Sequence, residues 1–289
     1  FDLTGAQKRS IKEVIGDMRA PYPMSRLLQG DVGSGKTFVA MCAMLLAVES
    51  GVQAALMAPT QILADQHYLT FKKWLEPLNL RISLRTGSRK EDAHLETDSE
   101  PQIIIGTHAL LYEGVEFNDL GLIVIDEQHK FGVGQRSSLI RQGVMPDVLV
   151  MTATPIPRTL TLTIYGDLDV SILDERPAGR GEIITAVRKK PKLTDITKFL
   201  KEQLTKERQA YLVYPLVEES DALKAEAATV EHAKWVKRLS KFKVGLLHGK
   251  MKPEEKDAVM TSFRDGELDV LVATTVIEVG VDVPNANTM

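Results

Sequence analysis

The sequence predicts an α/β protein of two tandem domains with mainly parallel sheets, the second truncated at its C-terminus before its sheet is complete. Three observations predict it. Short strand-like apolar runs alternate with helical stretches of ten or more residues, which is what parallel connections require. A Gly-rich pattern suited to phosphate lies between a strand and a helix near the start. The alternation breaks at 174–181, a stretch rich in charge, Gly and Pro without periodicity, and then begins again. The expected division is residues 1–173, a linker at 174–181, and a shorter second domain at 182–289.

In the first domain the apolar runs place strands at Arg26–Gln29, Gln53–Ala58, Arg81–Thr86, Gln102–Ile105, Gly121–Ile125, Asp147–Met151 and Leu168–Leu173. In the second, a strand is expected over Ile183–Val187. A helix follows with Leu193, Ile196, Leu200 and Leu204 on one face, then strand Ala210–Val217 and a long charged helix over Ala222–Leu239. Strand Val244–Leu247, helix Pro253–Phe263 and strand Leu268–Ala273 complete the series.

Composition excludes several classes. At 289 residues, 44% hydrophobic and 26% charged, the chain is neither disordered nor fibrous and has length for about two cores. No apolar stretch approaches the roughly 20 residues needed to cross a bilayer, so no membrane partner is expected. Phe1-Asp2-Leu3-Thr4 is not a secretory signal, and without an initiator Met the chain reads as excised. A single cysteine, Cys42, allows no internal disulfide and no cysteine-built zinc site, which fits a reducing cytoplasm. The net charge of −3 hides an asymmetry: residues 1–175 carry 16 basic against 22 acidic groups, and 176–289 carry 20 against 17. The basic excess gathers at Arg188-Lys189-Lys190 and again over Lys234–Lys243, either a polyanion-facing surface or solvated helix faces.

Gly30-Asp31-Val32-Gly33-Ser34-Gly35-Lys36-Thr37 matches G-x-x-x-x-G-K-[ST] at every position. Gly30, Gly33, Ser34 and Gly35 let backbone N–H groups turn toward phosphate oxygens, Lys36 neutralises phosphate charge, and the Thr37 hydroxyl is a Mg²⁺ ligand. Further on, Leu122-Ile123-Val124-Ile125 runs into Asp126 and Glu127 at a strand's carboxyl end, where open α/β sheets hold ligands. Asp126 suits Mg²⁺, and Glu127 suits orienting and deprotonating a water. Thr152 and Thr154 follow the next strand within reach of the acidic pair. Pro59-Thr60 and Gly106-Thr107-His108 follow two others, offering groups for sequence-independent phosphate contacts. Each of these is equally an ordinary strand-to-helix turn with Thr as a cap. His67, His94 and His232 show no metal spacing and are expected at the surface or partly buried.

Taken in order, Leu3-Thr4-Gly5-Ala6-Gln7, the loop at 30–37, Ala58-Pro59-Thr60, Gly106-Thr107-His108, Asp126-Glu127-Gln128-His129, Met151 to Arg158 and Thr274 to Pro284 resemble superfamily 2 helicases. The segments Asp126–Arg136, Val244–Phe263 and Ala273–Pro284 are most similar to the RecG-type branched-DNA helicases. The resemblance spans nearly the whole chain and implies two RecA-like P-loop NTPase domains forming an ATP-driven, Mg²⁺-dependent DNA motor. It implies that Gln7 reads adenine, that Asp126 and Glu127 drive hydrolysis, and that Gln128, His129, Thr152 and Thr154 couple nucleotide state to DNA grip. Pro59, Thr60, Gly106, Thr107, His108, His248, Gly249 and Thr274 would face DNA, and Gly280 and Asp282 the nucleotide. Branched or forked DNA, a monomeric state, single-stranded DNA-binding protein as a cellular neighbour and a cytoplasmic, nucleoid-associated bacterial setting go with it. The family's wedge domain and arginine finger fall before Phe1 and beyond Met289, so the chain is expected to bind ATP yet turn it over slowly. A transcription-repair coupling motor and a nucleotide-gated DNA-binding module are the rival readings.

Overall fold

The computed structural model describes residues 2–87, 90–93, 100–111, 117–127, 145–154, 168–175, 183–188, 192–214, 221–274, 283 and 285–289. Backbone alone is described at 92, 93, 108, 111, 221–226 and 253. The chain forms two compact units, Phe1–Gly181 and Glu182–Met289.

The first unit is built on an eight-stranded sheet. In chain order its strands are β1 (Ser25–Gly30), β2 (Gln53–Met57), β3 (Ile82–Arg85), β4 (Lys90–Ala93), β5 (Ile103–Gly106), β6 (Leu120–Asp126), β7 (Asp147–Thr152) and β8 (Asp169–Leu173). They lie side by side as β4-β3-β5-β2-β6-β7-β1-β8, and every neighbouring pair is parallel except β3 with β4. Central strands of such a sheet are covered on both faces and must be apolar throughout, as Leu122–Ile125 and Ala54–Met57 are. Helix α1 (Gly5–Met18) starts at Thr4 with a capping box, in which the Thr4 hydroxyl accepts from Gln7 N and the Gln7 side chain accepts from Thr4 N. Helix α2 (Lys36–Glu49) buries Val39, Ala40, Ala43, Met44 and Ala47, a face spaced at three and four residues. Helix α3 (Gln61–Leu75) is capped by Thr60 and buries Leu63, Ala64, His67, Tyr68, Phe71 and Leu75 in the same way.

The second unit holds four parallel strands in the order β10-β11-β9-β12, namely β9 (Gln209–Tyr214), β10 (Val244–Leu247), β11 (Val270–Thr274) and β12 (Ala286–Thr288). Helices α4 (Leu193–Leu204), α5 (Asp221–Arg238) and α6 (Pro253–Arg264) accompany them. Leu200, Leu204, Ala210, Trp235, Leu239, Val270 and Val272 form the core. Its polar intrusion is satisfied, because Trp235 Nε1 donates to the Tyr214 hydroxyl at 2.6 Å and that hydroxyl reaches Glu231 at 3.2 Å.

One expectation is corrected here. Ile183–Val187 is extended but pairs with no strand among the described residues, and Ile183, Ile184 and Val187 stand exposed. Its apolar alternation supplies strand propensity, but a strand exists only where a partner takes its backbone hydrogen bonds. Conversely, β4 and β12 form where no apolar run marks them, each recruited by a neighbour's free edge.

Candidate active site

The parallel register brings the carboxyl ends of β1, β7 and β6 to one edge of the first sheet. Gln29 pairs with Thr152, and Asp126 with Met151, so the phosphate-type loop, the acidic pair and the Thr152–Thr154 segment leave adjacent strands together.

The loop's conformation depends on its glycines. Gly33 and Gly35 have φ of 73° and 97°, the left-handed region that side chains disfavour. A Cβ on Gly30 would meet Ser34 Oγ at 2.6 Å and Leu173 Cβ at 2.8 Å. Lys36 Nζ donates to the Gly30 and Asp31 carbonyls at 2.7 and 3.1 Å, which holds the ammonium against the loop. Ser34 Oγ is buried with no partner among the described residues, an unmet polar atom within the loop that Gly33 and Gly35 shape. That combination fits a phosphate chain.

Gln7 braces the loop from behind. Its Oε1 accepts from Thr4 N at 3.0 Å and its Nε2 donates to the Ser34 carbonyl at 2.9 Å, with the side chain buried. Helix α1 is itself clasped by the two residues that follow β8. The Glu175 carboxylate accepts from Gly5 N and Ala6 N at 2.9 and 3.1 Å, and Arg9 pairs with Asp174 at 2.9 Å. A cleft of about 220 Å³ lies here, lined by Gly30, Asp31, Ala153, Leu173, Asp174 and Glu175 among others.

Both carboxylates are buried, Asp126 at 8% exposure and Glu127 at 4%. Glu127 sits at φ 48°, a backbone state costing a non-glycine residue about 1 to 3 kcal/mol, which the surroundings offset. Its N–H donates to the Met151 carbonyl at 3.0 Å, and its carboxylate accepts from Ala153 N at 3.2 Å and from the Thr152 hydroxyl at 3.4 Å. Thr154 N donates to Thr152 Oγ1 at 3.2 Å, and the two hydroxyls lie 2.9 Å apart. Thr152 thus reaches Glu127 directly, and Thr154 reaches it through Thr152.

Asp126 has a partner the sequence reading missed. His67 Nε2 lies 2.8 Å from Asp126 Oδ2, across 59 residues of chain, and His67 is 6% exposed, so the expectation of a surface or partly buried histidine is corrected. The signal was available: His67 falls four residues from both Leu63 and Phe71, on the buried face of α3, and a buried imidazole needs a polar partner. Among the described residues no group of three His, Cys, Asp or Glu side chains could hold a metal. Magnesium arriving with phosphates needs fewer protein ligands, so the hydroxyl of Thr37, at the start of α2, and the Asp126 carboxylate fit that demand.

The residues expected to face DNA are arranged differently. Thr60 Oγ1 accepts from Leu63 N at 3.4 Å, capping α3. Thr107 is buried and its Oγ1 accepts from Ala109 N at 3.4 Å. Gly106 is required by packing, since a Cβ there would strike the Arg85 carbonyl oxygen and the Leu110 side chain. Pro59 precedes the α3 cap, and of His108 only the backbone is described. In the second unit Leu247 pairs with Ala273, so His248 and Thr274 end adjacent strands at one edge. His248 Nδ1 and the Thr274 hydroxyl are buried with no partner among the described residues, while Gly249 is exposed. Burial, then the Lys256 and Lys250 charges, push the His248 imidazole below its ordinary value against the opposing pull of Glu255. Of the basic cluster, Lys234 pairs with Glu231 at 2.6 Å and Arg238 lies over the Trp235 ring at 5.2 Å. Gln128, His129, Gly280 and Asp282 lie outside the described residues.

The family pattern described as DEAD/DEAH box helicase matches residues 4–163, more than half of the chain. The chain belongs to the DEAD/DEAH box helicase family. A second pattern, the helicase conserved C-terminal domain, matches residues 191–289, and the two units are therefore tandem RecA-like helicase domains. The chain is 52% identical to the ATP-dependent DNA helicase RecG of Streptococcus pneumoniae and 49% identical to that of Synechocystis sp., in both cases over 100% of its length. It spans only 44% and 36% of those helicases. A solved structure of RecG bound to a three-way DNA junction superimposes with a TM-score of 0.82 at 42% identity, covering 99% of this chain and 38% of that one.

Proposed function

We propose that this chain is the motor of an ATP-dependent DNA helicase of the RecG kind, which remodels branched DNA such as stalled forks and Holliday junctions. The observation that carries the reading is the match over the full length of the chain to helicases named RecG, which favours it over a transcription-repair coupling motor. The site geometry supports the chemistry.

Lys36 and the amides of Gly33 to Thr37 would hold the nucleotide's phosphates, and Gln7, which braces the loop, would keep its remaining N–H for the adenine edge. Thr37 and Asp126 would hold magnesium, which when bound neutralises the charge of the phosphate oxygens. Glu127, fixed by Ala153 N–H and Thr152, would orient the attacking water and accept its proton. Because Thr152 and Thr154 share one hydrogen-bonded cluster with Glu127, a shift of that segment would reach the hydrolytic carboxylate directly. Gln128, His129, Gly280 and Asp282 are proposed on the resemblance alone. Pro59, Thr60, Gly106, Thr107, His108, His248, Gly249 and Thr274 would present strand ends to the DNA backbone. The reading extends to a monomeric enzyme on nucleoid DNA in the bacterial cytoplasm, with single-stranded DNA-binding protein beside it. No helix among the described residues is long and apolar enough to cross a membrane.

The test is ATP turnover by the full-length protein with forked and with linear duplex DNA. Forked DNA should stimulate more, and Lys36→Ala should abolish both nucleotide binding and turnover. Equal stimulation by the two DNAs would remove the branched-DNA assignment, and undiminished turnover by Lys36→Ala would remove the nucleotide site.

A further inference from the structure

The magnesium-holding carboxylate is not left to find its own orientation. Asp126 ends β6, and among the described residues its side chain makes one hydrogen bond, to His67 of α3. An ionised carboxylate only accepts, so Nε2 of His67 carries the hydrogen, and 2.8 Å is the length of a charge-assisted N–H···O⁻ bond. The bond takes up Oδ2 and fixes the carboxylate's plane, leaving Oδ1 as the oxygen without a side-chain partner among the described residues.

His67 is held in turn. Leu63 and Phe71, one turn to either side, are buried with it, and α3 is started by the Thr60 cap. A rigid helix therefore delivers one donor to one oxygen of a carboxylate whose work depends on direction.

We propose that His67 is a positioning residue for Asp126, orienting its carboxylate for magnesium through the Nε2–H···Oδ2 bond. This rests on the reading of Asp126 as a magnesium-holding carboxylate. Partners of this kind, one step removed from a metal, typically change metal affinity by about 10- to 100-fold when lost.

The experiment titrates Mg²⁺ against the full-length protein bound to a fluorescent ATP analogue, and compares His67→Leu, which fills similar space without a donor, with His67→Gln, whose Nε2 keeps one. His67→Leu should raise the Mg²⁺ midpoint about tenfold or more, and His67→Gln should stay within about threefold of the parent. Affinity for the analogue in EDTA should be unchanged in both. A His67→Leu midpoint equal to the parent's, or equal shifts in the two variants, overturns the proposal, provided that Asp126→Ala does raise the midpoint. If Asp126→Ala leaves it unmoved, the reading of Asp126 itself is wrong. A measurement on the unmodified protein guards against a misfolded leucine variant. The ¹⁵N resonance of His67 Nε2, identified by its loss in His67→Gln, should be that of the protonated ring nitrogen. It should shift when Mg²⁺ joins the bound analogue and not when the analogue binds in EDTA; no shift with Mg²⁺ overturns the proposal.

Discussion

Along the carboxyl-terminal edge of the first sheet, the stretch over β1, β7 and β6 that carries the phosphate-type loop and the stretch over β2 and β5 expected to meet DNA use similar residues in opposite ways. At the first, three polar side chains are held by partners far away in sequence: Gln7 by Ser34, His67 by Asp126, Glu127 by Thr152 and Ala153. At the second, Thr60 and Thr107 bond to N–H groups three and two residues on. Long-range bonds fix a side chain relative to the whole sheet, which chemistry needs. Local bonds fix only the path of the backbone, which leaves strand ends to present amides and carbonyls to a ligand that need not be read in detail.

The largest expected effect sharpens the first half of that contrast. Glu127→Gln in the full-length protein should keep nucleotide binding and lower kcat by about 10² to 10⁴, the usual contribution of a positioned general base. Parental turnover would show that the buried, strained carboxylate is structural. Gly106→Ala probes the other stretch of that edge. Its new Cβ would press on the Arg85 carbonyl, so denaturant unfolding should show a loss of about 1 to 3 kcal/mol. An unchanged midpoint would return Gly106 to a role in ligand approach.

A smaller effect is expected at Thr60. Thr60→Ala should cost about 1 kcal/mol by removing the α3 cap, while Thr60→Ser should cost almost nothing. If DNA affinity falls with Ala by more than with Ser at matched stability, the hydroxyl serves the ligand as well. The smallest concerns pH. The His248 imidazole titrates lower in the folded state, so below the ordinary value of about 6.5 the unfolded chain binds more protons. Its contribution to stability is therefore full above that value and lost as pH falls through the folded one. His248→Asn should flatten the fall in denaturation midpoint between pH 7.5 and 5.5, and identical slopes in parent and variant would contradict the assignment.

Much of this was legible in the sequence because the signals were periodic or spaced. Residues 193–204 were readable as a helix from one apolar face, and β6 from an unbroken apolar run ending at Asp126. The loop at 30–37 needed only its pattern. What escaped depended on neighbours. Strand β4 is Lys-Glu-Asp-Ala, with no strand signal, and exists because β3 offers an open edge. Ile183–Val187 has the signal and lacks the partner among the described residues. His67 was misplaced because histidine is intermediate between core and surface, and only the face it occupies on α3 decides the matter.

The clasp at the start of α1 has a mechanical consequence. Past β8 the chain runs through Asp174 and Glu175, and those two side chains hold the helix whose Gln7 touches the phosphate-type loop. A displacement of the chain at residue 175 would therefore reach that helix's tip, through a handful of charge-assisted bonds, before it reached the ladder of β8 on β1. Those bonds are open to water and weakened by salt. The tie between this segment and the loop is therefore a soft one that ionic strength loosens.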